Sequence, residues 1–242
     1  MKWFLAGEDI TLEAEVVAGG IPAQPDAGTA SGTVRDPAGT ILPGLDHVPL
    51  DVPGTTISLV VPAAQNLLAS GADSEARYVT FIYRVNGQSH QQTLAYALYP
   101  FLPLETNEDA VRAVMGLSVD ELPDDDIEII PAWFNLRDEY GTDFTNAFTM
   151  TGPRRTAANR VLAARAALNT LPSLQLRLVQ SRQVENAQFS RWDWIDFDRL
   201  KSDLVGVLSS NLQLLSTSLA LTLATQQTFF TVSHPVDPLT NA

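Results

Sequence analysis

Two spacings of apolar residues divide this chain. Up to about residue 103 apolar side chains recur at every second position, the spacing of half-buried strands. "DITLEAEVVA" (9–18) sets Ile10 and Leu12 against charged neighbours, and "TTISLVVP" (55–62) is a second such run, ended by Pro62. "SGTVRDPAGTIL" (31–42) holds Asp36-Pro37-Ala38-Gly39 between two β-like arms, where proline presets one φ and glycine supplies a positive one. The clearest hairpin is "RYVTFIYRVNGQSHQQTLAYALYP" (77–100), because Asn86-Gly87 accepts the two positive φ angles of a type I′ turn. Short strands with Gly/Pro punctuation and no helical run between them predict an antiparallel β-sandwich over residues 1–103.

After Pro100 and Pro103 the spacing becomes helical. Thr106 is a candidate N-cap, Glu108 and Asp109 suit the positive end of a helix dipole, and Val111, Val114 and Met115 share a face that Gly116 ends. Ser118 with Glu121 has capping-box spacing. Pro123 then reads as the first residue of a further helix, with Asp124, Asp125 and Asp126 in its first turn and Ile127, Ile130 and Phe134 on its apolar face. Pro131 inside that pattern should kink or restart it. Pro153 opens another helix on the stripe Val161, Ala164, Leu168 and Leu171, which Pro172 is expected to end, leaving "SLQLRLVQS" (173–181) as a possible short strand.

A last helix is predicted from about Asp198. From Leu204 to Val236 there is no Asp, Glu, Lys or Arg. Leu200, Leu204, Val207, Leu208, Leu212, Leu215 and Leu219 make a broad apolar face, and the rest of the wheel is Gly, Ser, Thr and Gln. Two readings stay open: the central helix of a bundle, or a helix that neighbouring subunits bury. "QQTFFTVSHPVDPLTNA" reads as an extended tail over 227–242, in which an exposed Phe229-Phe230 pair would favour assembly. The fold class expected is therefore α+β: a β-sandwich (1–103), a small helical bundle (104–226) and an extended C-terminal tail (227–242).

Composition narrows the chemistry. The 242 residues hold no cysteine, which removes disulfides, thiolate metal sites and cysteine nucleophiles. "MKWFLAGEDITLE" meets acids too early for a signal peptide, and no apolar run is long enough to span a bilayer, so use without export and without a membrane is expected. A net charge of −13 lacks the basic face that gripping nucleic acid requires. His47, His90 and His234 have no partners at ligand spacing, and consecutive aspartates do not match a calcium loop, so neither metal nor cofactor is expected. The nucleophile elbow and both nucleotide-binding glycine fingerprints are absent. Trp133, Trp192 and Trp194 could stack sugars, yet spacing places Trp133 in the core. No enzymatic activity is expected.

"EDAVRAVMGLSVDELPDDDIEIIPAWFNL" (108–136) resembles the start of the helical domain of head–tail connector (adaptor) proteins of long-tailed bacteriophages. The resembling features are the helix with Val111-Arg112, the stop at Gly116-Leu117-Ser118, and Glu121-Leu122-Pro123-Asp124 opening the next element. "AANRVLAARAALNTLPSLQLRL" (157–178) resembles the later helix of such proteins, followed by a short extended segment. The resemblance runs from Leu104 to Leu204; Pro131 departs from it, and the β-sandwich looks like an added domain. It implies a dodecameric homo-oligomeric ring beneath the portal protein, joined to tail or neck proteins in the virion and assembled in the host cytoplasm. DNA would pass through without specific binding.

On that reading Leu212, Leu215, Leu219, Phe229, Phe230 and His234 are candidates for the subunit or portal interface. Asp124, Asp125 and Asp126 are candidates for channel-facing acids, although helix capping alone is the favoured account of them. The competing expectation is a decoration or baseplate-associated module that uses the sandwich for recognition. A tail terminator or head-completion protein is a third.

Overall fold

The computed structural model describes residues 1–184 and 196–215. They fall into two compact units, one ending at Leu102 and one beginning at Pro103.

The first unit is built from β1 (Lys2–Leu5), β2 (Ile10–Glu15), β3 (Val17–Ala18), β4 (Ile21–Pro22), β5 (Ser31–Arg35), β6 (Val48–Pro49), β7 (Thr56–Val61), β8 (Glu75–Val85) and β9 (Gln88–Tyr99). A five-stranded sheet has the order β1-β9-β8-β5-β6, and β2–β7 and β3–β4 form separate two-stranded ladders. β8 and β9 are the expected hairpin, with φ of 52° at Asn86 and 77° at Gly87. The Asp36 turn also forms: the Thr40 amide donates to Asp36 Oδ1 at 2.7 Å. Its second arm is a single bridge, Arg35 to Ile41, rather than a strand.

The expected all-antiparallel pairing is corrected at the N-terminus. β1 pairs in parallel with β9, Lys2 opposite Tyr96 through Leu5 opposite Tyr99, so the sheet is mixed. Four residues carry too little periodicity to announce a strand. What draws them in is the end of β9, where Tyr96, Ala97 and Leu98 are buried in succession and Phe4 meets Tyr96 edge-on at 6.0 Å. Ile10 and Leu12 of β2, Ile57, Leu59 and Val61 of β7, and Val79, Phe81 and Tyr83 of β8 belong to one apolar cluster. Side chains of this size each contribute roughly 1.5–3 kcal/mol when fully buried.

The second unit has α1 (Glu108–Met115), α2 (Ile129–Ala147), α3 (Pro153–Val184) and α4 (Phe197–Leu215). α3 packs against each of the other three. Its sequence explains why: Ala157, Ala158, Ala163, Ala164, Ala166 and Ala167 are all buried, and their small side chains let neighbouring helices approach from several sides. Of the two readings left open for α4, the central position therefore goes to α3.

Proline and cap positions differ from expectation at Pro172 and at the α1 cap, whereas at Pro131 the restart, one of the two outcomes expected there, occurs. α3 does not stop at Pro172, and residues 173–181 are not a strand. Leu171 and Leu174 continue the buried stripe across the proline, and burial outweighs the missing N–H. Pro131 lies in the first turn of α2, where its missing donor would have had no helical partner, and it causes no kink. The break in α2 is instead at Gly141, whose φ of 63° and ψ of −145° only glycine adopts readily. The cap of α1 is Asn107, whose Oδ1 accepts from the Ala110 amide at 3.0 Å; the Thr106 hydroxyl donates to the Asn159 carbonyl oxygen instead.

Candidate functional site

Asp124, Asp125 and Asp126 do not occupy the first turn of α2. They form a separate 3-10 turn capped by Pro123, with extended backbone at Ile127 before α2 begins. A tertiary contact fixes this arrangement. Arg112, buried on α1, donates to Asp124 at 2.6 Å, to Asp109 at 2.6 Å and to the Leu122 carbonyl oxygen at 3.1 Å. Its hydrogen bonds to Asp109 and Asp124 raise the guanidinium's pKa further above its ordinary value. One arginine thus ties the α1–α2 connection to α1, and Leu122 beneath it is fully buried. Glu121 closes the same connection by accepting from both the amide (2.8 Å) and the hydroxyl (2.9 Å) of Ser118. Asp124 is thus engaged in this knot, and both it and Asp125 stand at the surface.

The α4 candidates divide. Leu212 and Leu215 are buried with Leu204 and Leu208 in the unit's own core. Leu219, Phe229, Phe230 and His234 lie outside the described residues. The exposed side of α4 is charged over its first turns, with Asp198, Arg199, Lys201 and Asp203 at the surface, and uncharged beyond them, where Gly206, Ser210, Gln213 and Leu214 are exposed, the last 58%. Its serines turn back on their own helix: Ser209 Oγ donates to the Gly206 carbonyl oxygen at 3.3 Å and Ser210 Oγ to that of Val207 at 3.0 Å. What faces outward after Asp203 is uncharged, with its hydroxyl donors satisfied within the helix. Leu214 was not among the candidates, because a period of 3.6 groups Leu212 and Leu215 on the apolar face and leaves their neighbour off it.

Two polar clusters, one buried and one half-buried, were not expected. In the first unit Arg77 donates to Glu75 at 2.8 Å and to the carbonyl oxygens of Gln65 and Leu67, while Glu75 also accepts from the Ala69 amide at 3.0 Å. Both side chains sit on the inward parity of β8 with Val79, Phe81, Tyr83 and Val85, and that was the available signal. A shallow depression lies beside this cluster, lined in part by Asp36, Ser74 and Glu75. Both Glu75 oxygens are already engaged, so it offers no free base.

In the second unit Arg165 pairs with Glu139 next to the α2 break. Tyr140 is buried beside Glu139; burial first, then the Glu139 charge, push its pKa up to about 12. Trp133 is in the core as expected, edge-on to Phe134 at 5.1 Å.

The remaining candidate chemistry does not converge. His47 pairs with Asp46 at 2.6 Å on the surface, and His90 stacks on Tyr83 with ring centroids 5.5 Å apart. Among the described residues no three metal-ligating side chains come together, and no helix is long and apolar enough to cross a membrane.

No protein-family model matches the chain, and no curated protein does. Among solved structures, a family 123 glycoside hydrolase from Clostridium perfringens, described for glycolipid glycan hydrolysis, is similar at 10% identity with a TM-score of 0.21. The match covers 57% of this chain and 31% of the hydrolase, so the chain spans about a third of that enzyme's length. A likeness so slight bears on neither fold nor chemistry.

Proposed function

We propose that this chain is a non-enzymatic structural subunit of a virion: a head–tail connector that assembles as a ring beneath a portal protein. It joins capsid to tail and continues the DNA exit channel. The observation that carries the proposal is the C-terminal part of the exposed side of α4, beyond the exposed Arg199–Asp203 pair, where Gly206, Ser210, Gln213 and Leu214 present no charge. In a protein of net charge −13, an uncharged helix face is suited to contact with another subunit. The sequence resemblance over Leu104–Leu204 supplies the class of assembly. In that ring the exposed Asp124 and Asp125 face the channel and repel phosphate, so that the duplex slides through.

Within the same proposal the first unit is a β-sandwich of unequal layers. The β2–β7 ladder lies over the larger sheet, and a Cβ added at Gly32 on β5 would meet Leu59 Cδ2 of β7 at 3.0 Å. Negative-stain microscopy of the chain mixed with its cognate portal, with and without residues 227–242, tests the function. Rings stacked coaxially on the portal, lost with the tail, support it and assign docking to the tail. Failure of both forms to associate would move the assignment to a decoration or binding module.

A further inference from the structure

The two outer faces of the β unit carry opposite charge. On β8 the inward parity is Glu75 to Val85 at every second residue, all buried, which leaves Ala76, Tyr78, Thr80, Ile82 and Arg84 outward. Their cross-strand partners on β9 are Ala97, Ala95, Thr93, Gln91 and Ser89, and on β5 they are Ser31, Thr33 and Arg35; Ala97 and Thr33 are buried, which leaves the part of the face around Arg84 open. None of these positions holds a carboxylate, in a chain with 28 acidic residues. Thr80 and Thr93 bond each other at 3.2 Å in the middle of the face, and at its β5 edge Thr33 Oγ1 accepts from the amide of His47, the neighbour of Asp46. Its charges are arginines. Arg35 is half-buried and donates to the Gly39 carbonyl oxygen at 3.0 Å; Arg84 is exposed, with its backbone amide bonded to Thr29 Oγ1.

The β2–β7 ladder shows the reverse. Its inward residues join the common core, and its outward ones are Thr11, Glu13 and Glu15 paired across to Val60, Ser58 and Thr56, all exposed. This face has two carboxylates and no base.

We infer that the β unit packs head-to-tail on the β unit of a second copy, the Arg84-bearing face of the five-stranded sheet against the Glu13/Glu15-bearing face of the neighbour's β2–β7 ladder. Two copies with a net charge of −13 repel unless patches of opposite sign meet. Packing like on like would set Arg84 against Arg84, or glutamates against glutamates. The head-to-tail arrangement pairs them, and such a heterologous contact generates a ring when its rotation closes. The inference rests on the proposed ring assembly and on the two-layered reading of the β unit, and it adds the contact that sets subunit order.

A charge exchange across the contact tests it in the full-length chain, followed by sedimentation velocity at low salt with and without the portal. Arg84→Glu weakens self-association by about tenfold or more, since like charges then oppose. Glu13→Arg with Glu15→Arg does the same. The three substitutions together restore most of the loss, a result that a merely structural role of these residues would not produce. All three positions are exposed, so unchanged thermal midpoints verify the fold. Rings that tolerate either exchange, or a triple variant no better than its parents, overturn the inference and leave the ring proposal standing. A wild-type chain that assembles neither alone nor on the portal overturns both.

Discussion

The hairpin β8–β9 and the segment from Val111 to Ile129 differ in how they keep buried charge. In the hairpin Glu75 and Arg77 occupy inward positions of a strand, and their partners are each other and a nearby loop. Alternation alone sends them inside, because the side-chain period of a strand is 2. In the helical segment Arg112 is buried between Asp109, one turn away, and Asp124, twelve residues on. Nothing in the 3.6 period marks that second partner. Strand parity is a local property, whereas the end of a helix is a balance that distant groups can tip.

The largest effect that would test this contrast is in the β core. Phe81 is fully buried and stands on the same parity as Glu75 and Arg77. Phe81→Ala should cost about 3–5 kcal/mol in urea unfolding. A cost below about 1 kcal/mol would mean that the parity, and the burial of the pair with it, is wrong.

Pro172 probes the helical side of the comparison. If α3 runs through it, Pro172→Ala removes an interior proline and stabilises the second unit by up to about 3 kcal/mol. A chain that ended its helix at Pro172 would gain nothing or lose stability. Circular dichroism with urea titration distinguishes the two.

Tyr140 gives a smaller effect confined to alkaline pH. Its pKa rises from 10.0 to about 12 in the folded state. The folded protein therefore binds this proton more tightly than the unfolded chain. The contribution is complete below pH 10 and is lost as the pH rises towards 12. Tyr140→Phe removes the titrating hydroxyl, so it should flatten the alkaline loss. An unchanged pH profile in that variant would contradict the assignment.

Much of the β unit was legible because each signal was local. Asn86-Gly87 placed the turn, and alternation placed β2, β7, β8 and β9. β1 was not, since four residues cannot show a period and its parallel partner lies at the far end of the unit. In the helical unit Gly116 ended α1 as read, with φ of 70°, while the cap moved from Thr106 to Asn107 because Asn159 engages Thr106. The aspartate run was read as the first turn of α2, and its actual place, a separate 3-10 turn held through Asp124 by Arg112, was not legible. Leu212 and Leu215 were correctly apolar and wrongly outward. The exposed residue of this stretch, Leu214, became visible only in the folded helix.

The smallest expected change in stability carries the most direct test. Leu214→Glu puts a charge on the exposed side of α4 and should alter the unfolding midpoint little. Ring formation with the cognate portal should be counted by negative-stain microscopy for this variant and for the wild-type chain. The account predicts wild-type rings that the variant fails to form although it remains folded. Rings of equal number in both, or none from the wild-type chain, would contradict it.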